Sequence, residues 1–384
     1  MRQLVLLYWG CVFLMYLSQT YYPVETRLEG PQTGKRHLML RRADVFMIIV
    51  IAWMTCFSFL RTSYNDTVNY ISDFNYLAEP LAQFLQNNNL LKIGSNPLFD
   101  LYISIVHSFT SDYHIFFFFP AIFNSIAVIK FFKRYSTNAA FSLLIFYSIG
   151  TYIMYIAAMK QSIAVGILLF ALPYAIDKKY VRYYLLVFVA MLLHTHAFVF
   201  LAVPFFFGKP WGKVTWILLV AVIFSMATYD TTFGTLMNVA LSVGVNIVDW
   251  ELFDGHSINP IRVIVYWVPA ILALVFRERL FSDSTRTENL LTNLSIGAAF
   301  IITIGLKQGA NLFARMAAYY EITAGIALPW MIKKLFTKRS AKLVTGIAIV
   351  LYFLYFLYEF GISKNFGGDY AAISLWQFVR SLFS

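Results

Sequence analysis

Charge is scarce in this sequence. Asp, Glu, Lys and Arg make up 13% of its 384 residues, about half the share of roughly 25% that a soluble domain carries. There are two cysteines, Cys11 and Cys56, and both lie inside apolar runs. A pair so placed builds neither a disulfide framework nor a thiolate metal site, and each reads as a small buried hydrophobe. The patterns G-x-x-x-x-G-K-[ST], G-x-G-x-x-G and G-x-S-x-G are missing too, so nucleotide-driven pumping and α/β-hydrolase chemistry have no support. No repeat, low-complexity tract or soluble linker interrupts the chain, which reads as a single membrane domain over 1–384.

What fills the chain is apolar: 60% hydrophobic residues, with 18% aromatic. Runs of about 20 apolar residues, the length that crosses a bilayer, recur from end to end. The fold class expected is therefore an all-α polytopic integral membrane protein. The first run, LVLLYWGCVFLMYLSQTYY, has only Arg2 ahead of it, no small-x-small cleavage site and an aromatic pair at its end. It predicts a retained helix rather than a signal peptide.

The net charge of +11 is distributed in short connections. Basic residues cluster at Arg27, Lys35, Arg36, Arg41 and Arg42; at Lys130, Lys133 and Arg134; and at Lys178, Lys179 and Arg182. Further clusters are Lys209 and Lys213; Arg277, Arg279 and Arg286; and Lys333, Lys334, Lys338, Arg339 and Lys342. Short loops rich in Lys and Arg stay on the inner side, so these six mark the inner face. A nucleic-acid partner would need one contiguous basic surface instead. The outer face then holds segments 61–97 and 229–259, joints near Lys160, His194 and Gly309, and both chain ends. The run 98–110 is too short to span at 1.5 Å per residue and predicts a re-entrant or interfacial helix on the outer side. The expectation is about 11 transmembrane helices, in a range of roughly 10–13.

Nine Lys and Arg fall outside the inner clusters: Arg2, Arg61, Lys92, Lys160, Arg262, Lys307, Arg315, Lys364 and Arg380. A long basic stem at a span's end can snorkel to the interface. Lys160 and Arg315, however, sit among small and polar neighbours, "AAMKQS" and "GANLFARMAAYY", which lets other helices approach. Arg61, Lys160, Arg262, Lys307 and Arg315 come near one depth and predict a common anionic ligand. A pyrophosphate suits them, because guanidinium forks bind phosphate bidentately and lysine acts as a point charge. A cation-lined anion pathway is the competing use. The segment FLRTSYNDTVNYISDFNYLAEPL offers the Asn, Asp and Tyr of a sugar-binding groove, or else a solvated loop with capping residues. Asp66, just outside a span, is its candidate general base. His194 and His196 end one span and begin the next; histidine too can serve as general base or act as a hydrogen-bonded packing residue. The pair lacks a third ligand for zinc, and no metal is predicted.

In their order, these features resemble the EpsG/Wzy-type polysaccharide polymerase family of bacterial membranes. "NDTVNY" carries Asp66 and Tyr70, "KQSIA" carries Lys160 and Gln161, "HTHAFVF" carries His194, and "RMAAYYEI" carries Arg315 and Tyr319. In that family the residue before the Gln is usually Arg; Lys160 keeps the charge and loses the bidentate fork. The resemblance implies a multi-pass protein of the bacterial cytoplasmic membrane that joins undecaprenyl-pyrophosphate-linked oligosaccharide repeats without a cofactor. It implies Asp66 and His194 as catalytic candidates, and Arg61, Tyr70, Lys160, Gln161, His196, Arg315 and Tyr319 as binding candidates. The partners expected are the lipid-linked oligosaccharides, membrane lipids and a chain-length-regulating membrane protein. The rival readings are a lipid-linked glycan ligase, a flippase for lipid-linked sugars and a membrane O-acyltransferase; the flippase lacks the two similar halves common in transporters.

Overall fold

The computed structural model describes residues 1–22, 44–91, 95–242, 256–362 and 370–383. The first basic connection, Lys92, Lys364 and residues 243–255 of the second outer segment lie outside the described residues. The chain is almost wholly helical, as the apolar runs predict. In order the helices are α1 (Arg2–Tyr21), α2 (Val45–Phe59), α3 (Thr67–Ser72), α4 (Leu81–Asn87), α5 (Pro97–His107) and α6 (Tyr113–Tyr135). Then come α7 (Ala139–Ser148), α8 (Thr151–Ala157), α9 (Met159–Ile176), α10 (Tyr180–Leu193) and a 3-10 helix, Thr195–Phe207. The second half holds α11 (Lys213–Ala227), α12 (Tyr229–Ser242), α13 (Pro260–Val275), α14 (Arg277–Phe281) and α15 (Arg286–Ile304). It closes with α16 (Ala310–Glu321), α17 (Ala324–Leu335), α18 (Lys338–Leu357) and α19 (Leu375–Ser381).

Polar residues between the runs start the helices by capping orphan amides. Asp44 accepts from Met47, Asp112 from His114, Asn138 from Phe141 and Asn259 from Ile261. Thr285 and Glu288 form a reciprocal capping box at the head of α15. The only strands among the described residues are β1 (Arg61–Ser63) and β2 (Ala371–Ala372), which pair antiparallel with Arg61 opposite Ala372. The tail is held further by Tyr370, whose ring stacks on Phe57 at 4.4 Å.

Among the described residues, five helices are long and apolar enough to cross a membrane: α1, α6, α9, α15 and the continuous Lys338–Ile362. The pair α7 and α8, bent by 58°, makes a sixth if it is one span. Its break falls at Gly150, whose φ of +84° is a conformation that other residues avoid. Six shorter apolar helices accompany them, α5 among them. Length and composition thus do not reach the expected eleven. The number also conflicts with its own topology, since two ends on one face require an even number of crossings. One reason for the shortfall is helix type: Thr195–Phe207 is a 3-10 helix, which rises about 2.0 Å per residue and covers more depth with fewer residues.

Residues expected on one face do meet one another. On the basic side, Lys133 reaches Asp44 at 3.1 Å and Ser18 at 2.9 Å, Gln19 bonds Asn138 at 3.2 Å, and Lys334 pairs with Asp283 at 2.6 Å. On the other side, the His256 carbonyl accepts from Ala310 at 2.9 Å and Asn259 donates to Tyr358 at 2.7 Å.

Asp44 ties three elements, because Ser18, the Met47 amide and Lys133 all donate to it. Burial alone would raise its carboxyl pKa, but these donors outweigh burial and hold it below the usual carboxylate range. Its stabilisation is then present above the unfolded pKa of about 3.9 and is lost as pH falls through the lower folded value. Asp44→Asn is expected to cost about 1–3 kcal/mol at neutral pH. Melting curves in detergent should show that difference shrinking towards zero as pH falls through the lowered folded value.

Candidate functional site

The site forms where α9 begins. After α8, Ala158 takes a non-helical conformation (φ −106°, ψ 72°) and a new helix starts at Met159. The first amides of a helix have no intrahelical partner, and that of Lys160 faces the Tyr70 hydroxyl. Gln161, 2% exposed, donates from Nε2 to the Arg315 carbonyl at 2.7 Å. Its Oε1 is buried without a hydrogen-bond partner among the described residues. The start of α9 is thereby fastened to the segment after β1 on one side and to α16 on the other. Lys160 itself is half-buried, with Nζ 4.9 Å from the centre of the Phe99 ring, a cation–π arrangement.

Arg315 comes from α16, which opens at Gly309 with φ +70°. Buried Ala314, Ala317 and Ala318 bring this helix close to its neighbours. Arg315 Nη2 lies 3.6 Å from Asp66 Oδ2. One turn on, the buried Tyr319 hydroxyl is 2.7 Å from His194 Nδ1. His194 caps the C-terminus of α10 in an extended conformation (φ −157°) that swings its ring off the helix. The His196 ring stands edge-on to it at 4.8 Å. Lys160 and Arg315 both lie within electrostatic reach of His194.

The structure therefore brings together Asp66, Tyr70, Lys160, Gln161, His194, His196, Arg315 and Tyr319, from four separate stretches of the chain. Arg61 is placed beneath them, 1% exposed, with its guanidinium 4.0 Å from the Phe117 ring centre. It donates to the Thr67 hydroxyl at 3.1 Å and to the Ser58 carbonyl, and lines a small cavity of about 20 Å³. No carboxylate forms an ion pair with it among the described residues.

The expectation that five cations share one ligand needs correcting. Arg262 is buried, and its charge is answered by Glu321, Glu359 and the tyrosines Tyr266 and Tyr355. The Tyr266 hydroxyl also donates to Glu321. A charge this deep must be matched by partners of its own, which removes Arg262 from the mouth. Lys307 is exposed at the end of α15. Three residues went unassigned from sequence: Phe99 and Asp100 on the short helix α5, both close to Lys160, and Glu321. A signal existed in "NPLFD", where Pro97 opens a helix and Asp100 sits in its first turn. Among the described residues, no three His, Cys, Asp or Glu side chains gather as a metal would require.

A family model described as "EpsG family" matches residues 44–371, most of the chain and all of the site. The chain belongs to the EpsG family. EpsG proteins are polysaccharide polymerase-like, and with its apolar helices this chain is a multi-pass membrane protein of that kind. No curated relative and no solved structure matches it.

The geometry of this EpsG protein makes Gly309 a sensitive position. A Cβ there would stand 3.1 Å from the Tyr229 hydroxyl and 3.2 Å from the Phe313 ring, at a positive φ. Gly309→Ala should cost about 1–2 kcal/mol, read as a lowered melting temperature. At Gly208, where an added Cβ meets nothing within 4 Å, the same change should be close to neutral.

Proposed function

We propose that this protein polymerises oligosaccharide repeat units carried on undecaprenyl pyrophosphate at the outer face of the bacterial cytoplasmic membrane. The observation that carries this reading is the positive excess at the start of α9. Lys160 and Arg315 meet there, with Asp66 3.6 Å from Arg315, Asp100 within electrostatic reach of Lys160 and the buried charge of Arg61 nearby. The α9 N-terminus adds its dipole in the same sense. An anion released beside a sugar fits this environment.

In the proposed reaction the acceptor sugar hydroxyl attacks the anomeric carbon of the donor sugar. The new C–O bond forms as the bond from that carbon to the pyrophosphate oxygen breaks, and the electron pair leaves on the pyrophosphate. Lys160 and Arg315 stabilise that developing charge, which is where preorganised cations act most strongly. The Asp66–Arg315 contact is half-exposed at 3.6 Å, and such pairs contribute only about 0–1 kcal/mol. Arriving pyrophosphate therefore draws Arg315 away at little cost and leaves the Asp66 carboxylate to take the acceptor proton. His194, oriented by Tyr319, is the second candidate base. Tyr70 and His196 contact the sugars.

Lys160→Ala and Arg315→Ala should each lower polymer synthesis at least about 100-fold, with membrane levels of the protein unchanged; Asp66→Asn should do the same if it is the base. The measurement is chain length on the lipid carrier in a deletion strain carrying each variant. Single lipid-linked repeats at the outer face support the reading. Repeats trapped at the inner face would replace it with a flippase, and full-length glycan from both cation variants would remove the anion-binding role.

The same reading needs both chain ends outside. We therefore propose twelve crossings, with the bent pair α7 and α8 forming one and α16 with α17 another. Reporter fusions after Pro97 and Ile258 should report the outer side, and fusions after Arg134 and Lys334 the inner side.

A further inference from the structure

A groove on the basic inner side of the bundle lies away from the site above. α1 and α18 meet through aromatic rings, Tyr8 with Phe356 at 4.8 Å and Trp9 with Phe353 at 5.1 Å. Towards their basic ends a groove of about 650 Å³ opens between them, within the range of roughly 300–1,000 Å³ typical of ligand sites. Phe13 and Tyr16 wall one side, Thr345 and Ile349 the other, and Phe141 with Pro329 close the back. α18 and α1 are the two least buried of the long helices, so the groove faces the membrane sideways.

Two features separate this groove from a bare apolar crevice. Its mouth carries three exposed lysines, Lys333, Lys338 and Lys342. Among the described residues Lys338 and Lys342 make no ion pair. The Thr137 hydroxyl also lines the groove, buried and without a hydrogen-bond partner. At Gly346 an added Cβ would meet nothing within 4 Å, so the wall is open there.

We propose that this groove binds an anionic diacyl phospholipid of the inner leaflet. Its phosphate would sit between Lys338 and Lys342, and one acyl chain would lie between α1 and α18. Charge complementarity selects the occupant: basic pockets between spans on the inner side favour anionic headgroups. A zwitterionic lipid brings a cation to the same lysines. The chain's own first connection is disfavoured for the same reason, since it carries Arg27, Lys35, Arg36, Arg41 and Arg42. Snorkelling alone would account for lysines at a helix end but not for the open wall at Gly346 or the unpartnered Thr137.

The test is native mass spectrometry of the full chain released from detergent with added phosphatidylglycerol, phosphatidylcholine or polyprenyl phosphate. The wild-type protein should retain phosphatidylglycerol over phosphatidylcholine by about tenfold or more. Lys338→Glu with Lys342→Glu should abolish that preference, and the paired Lys→Arg changes should keep it. Gly346→Leu should reduce retention with every lysine in place, so misfolding of either variant leaves the other to decide. Equal retention of the two phospholipids by the wild type overturns the proposal, as does unchanged retention in both disruptive variants. Displacement by equimolar polyprenyl phosphate would overturn the assigned occupant. The readout involves no polymer synthesis, so it stands or falls apart from the reaction proposed above.

Discussion

A cation inside an apolar bundle must be answered, and the way each one is answered organises this protein. Removing a charge from water costs several kcal/mol unless good partners replace the solvent. Arg262 is met by Glu321 and Glu359 and is thereby tied into the core. Arg61 is met by an aromatic face and neutral oxygens, which stabilise it without cancelling its charge. Arg315 lies 3.6 Å from the half-exposed Asp66, and Lys160 stands over the Phe99 ring with Asp100 within electrostatic reach. Compensation thus differs from the core to the mouth, where Arg315 and its partner Asp66 are both partly exposed.

The start of α9 transmits this arrangement to the rest of the bundle. Lys160 and Gln161 are adjacent in sequence but do different work. The backbone amide of the first engages Tyr70, and the side chain of the second engages the backbone of α16. Since α16 carries both Arg315 and Tyr319, a shift of that helix would move an anion-binding charge and the partner of His194 together. The tail adds a further restraint, because β2 pairs with the strand that contains Arg61. The basic side of the bundle uses the opposite device, in which exposed lysines stand at the mouth of an apolar groove.

The membrane class and the short helix at 98–110 were legible in the sequence, because bilayer thickness acts on local composition. Asp66, Lys160, Gln161, His194 and Arg315 were legible as candidates for the same reason, as polar residues where apolar ones are expected. Span number was less so. A 3-10 segment crosses more depth per residue than an α-helix count assumes, a bent pair divides one apolar stretch into two short helices, and an odd total contradicted the orientation of the ends.

By itself, then, the sequence determined that the chain lives in a membrane and which charged residues interrupt its apolar runs. Hydropathy and loop charge are sums over neighbouring residues and need no fold to be read. Only the tertiary structure decided which of those charges meet. Arg262 and Arg315 look alike in sequence, each a lone arginine near a span's end. Residues remote along the chain separate them, Glu321 and Glu359 for one and Asp66 for the other. Electrostatic compensation depends on distance through space, which no local pattern encodes.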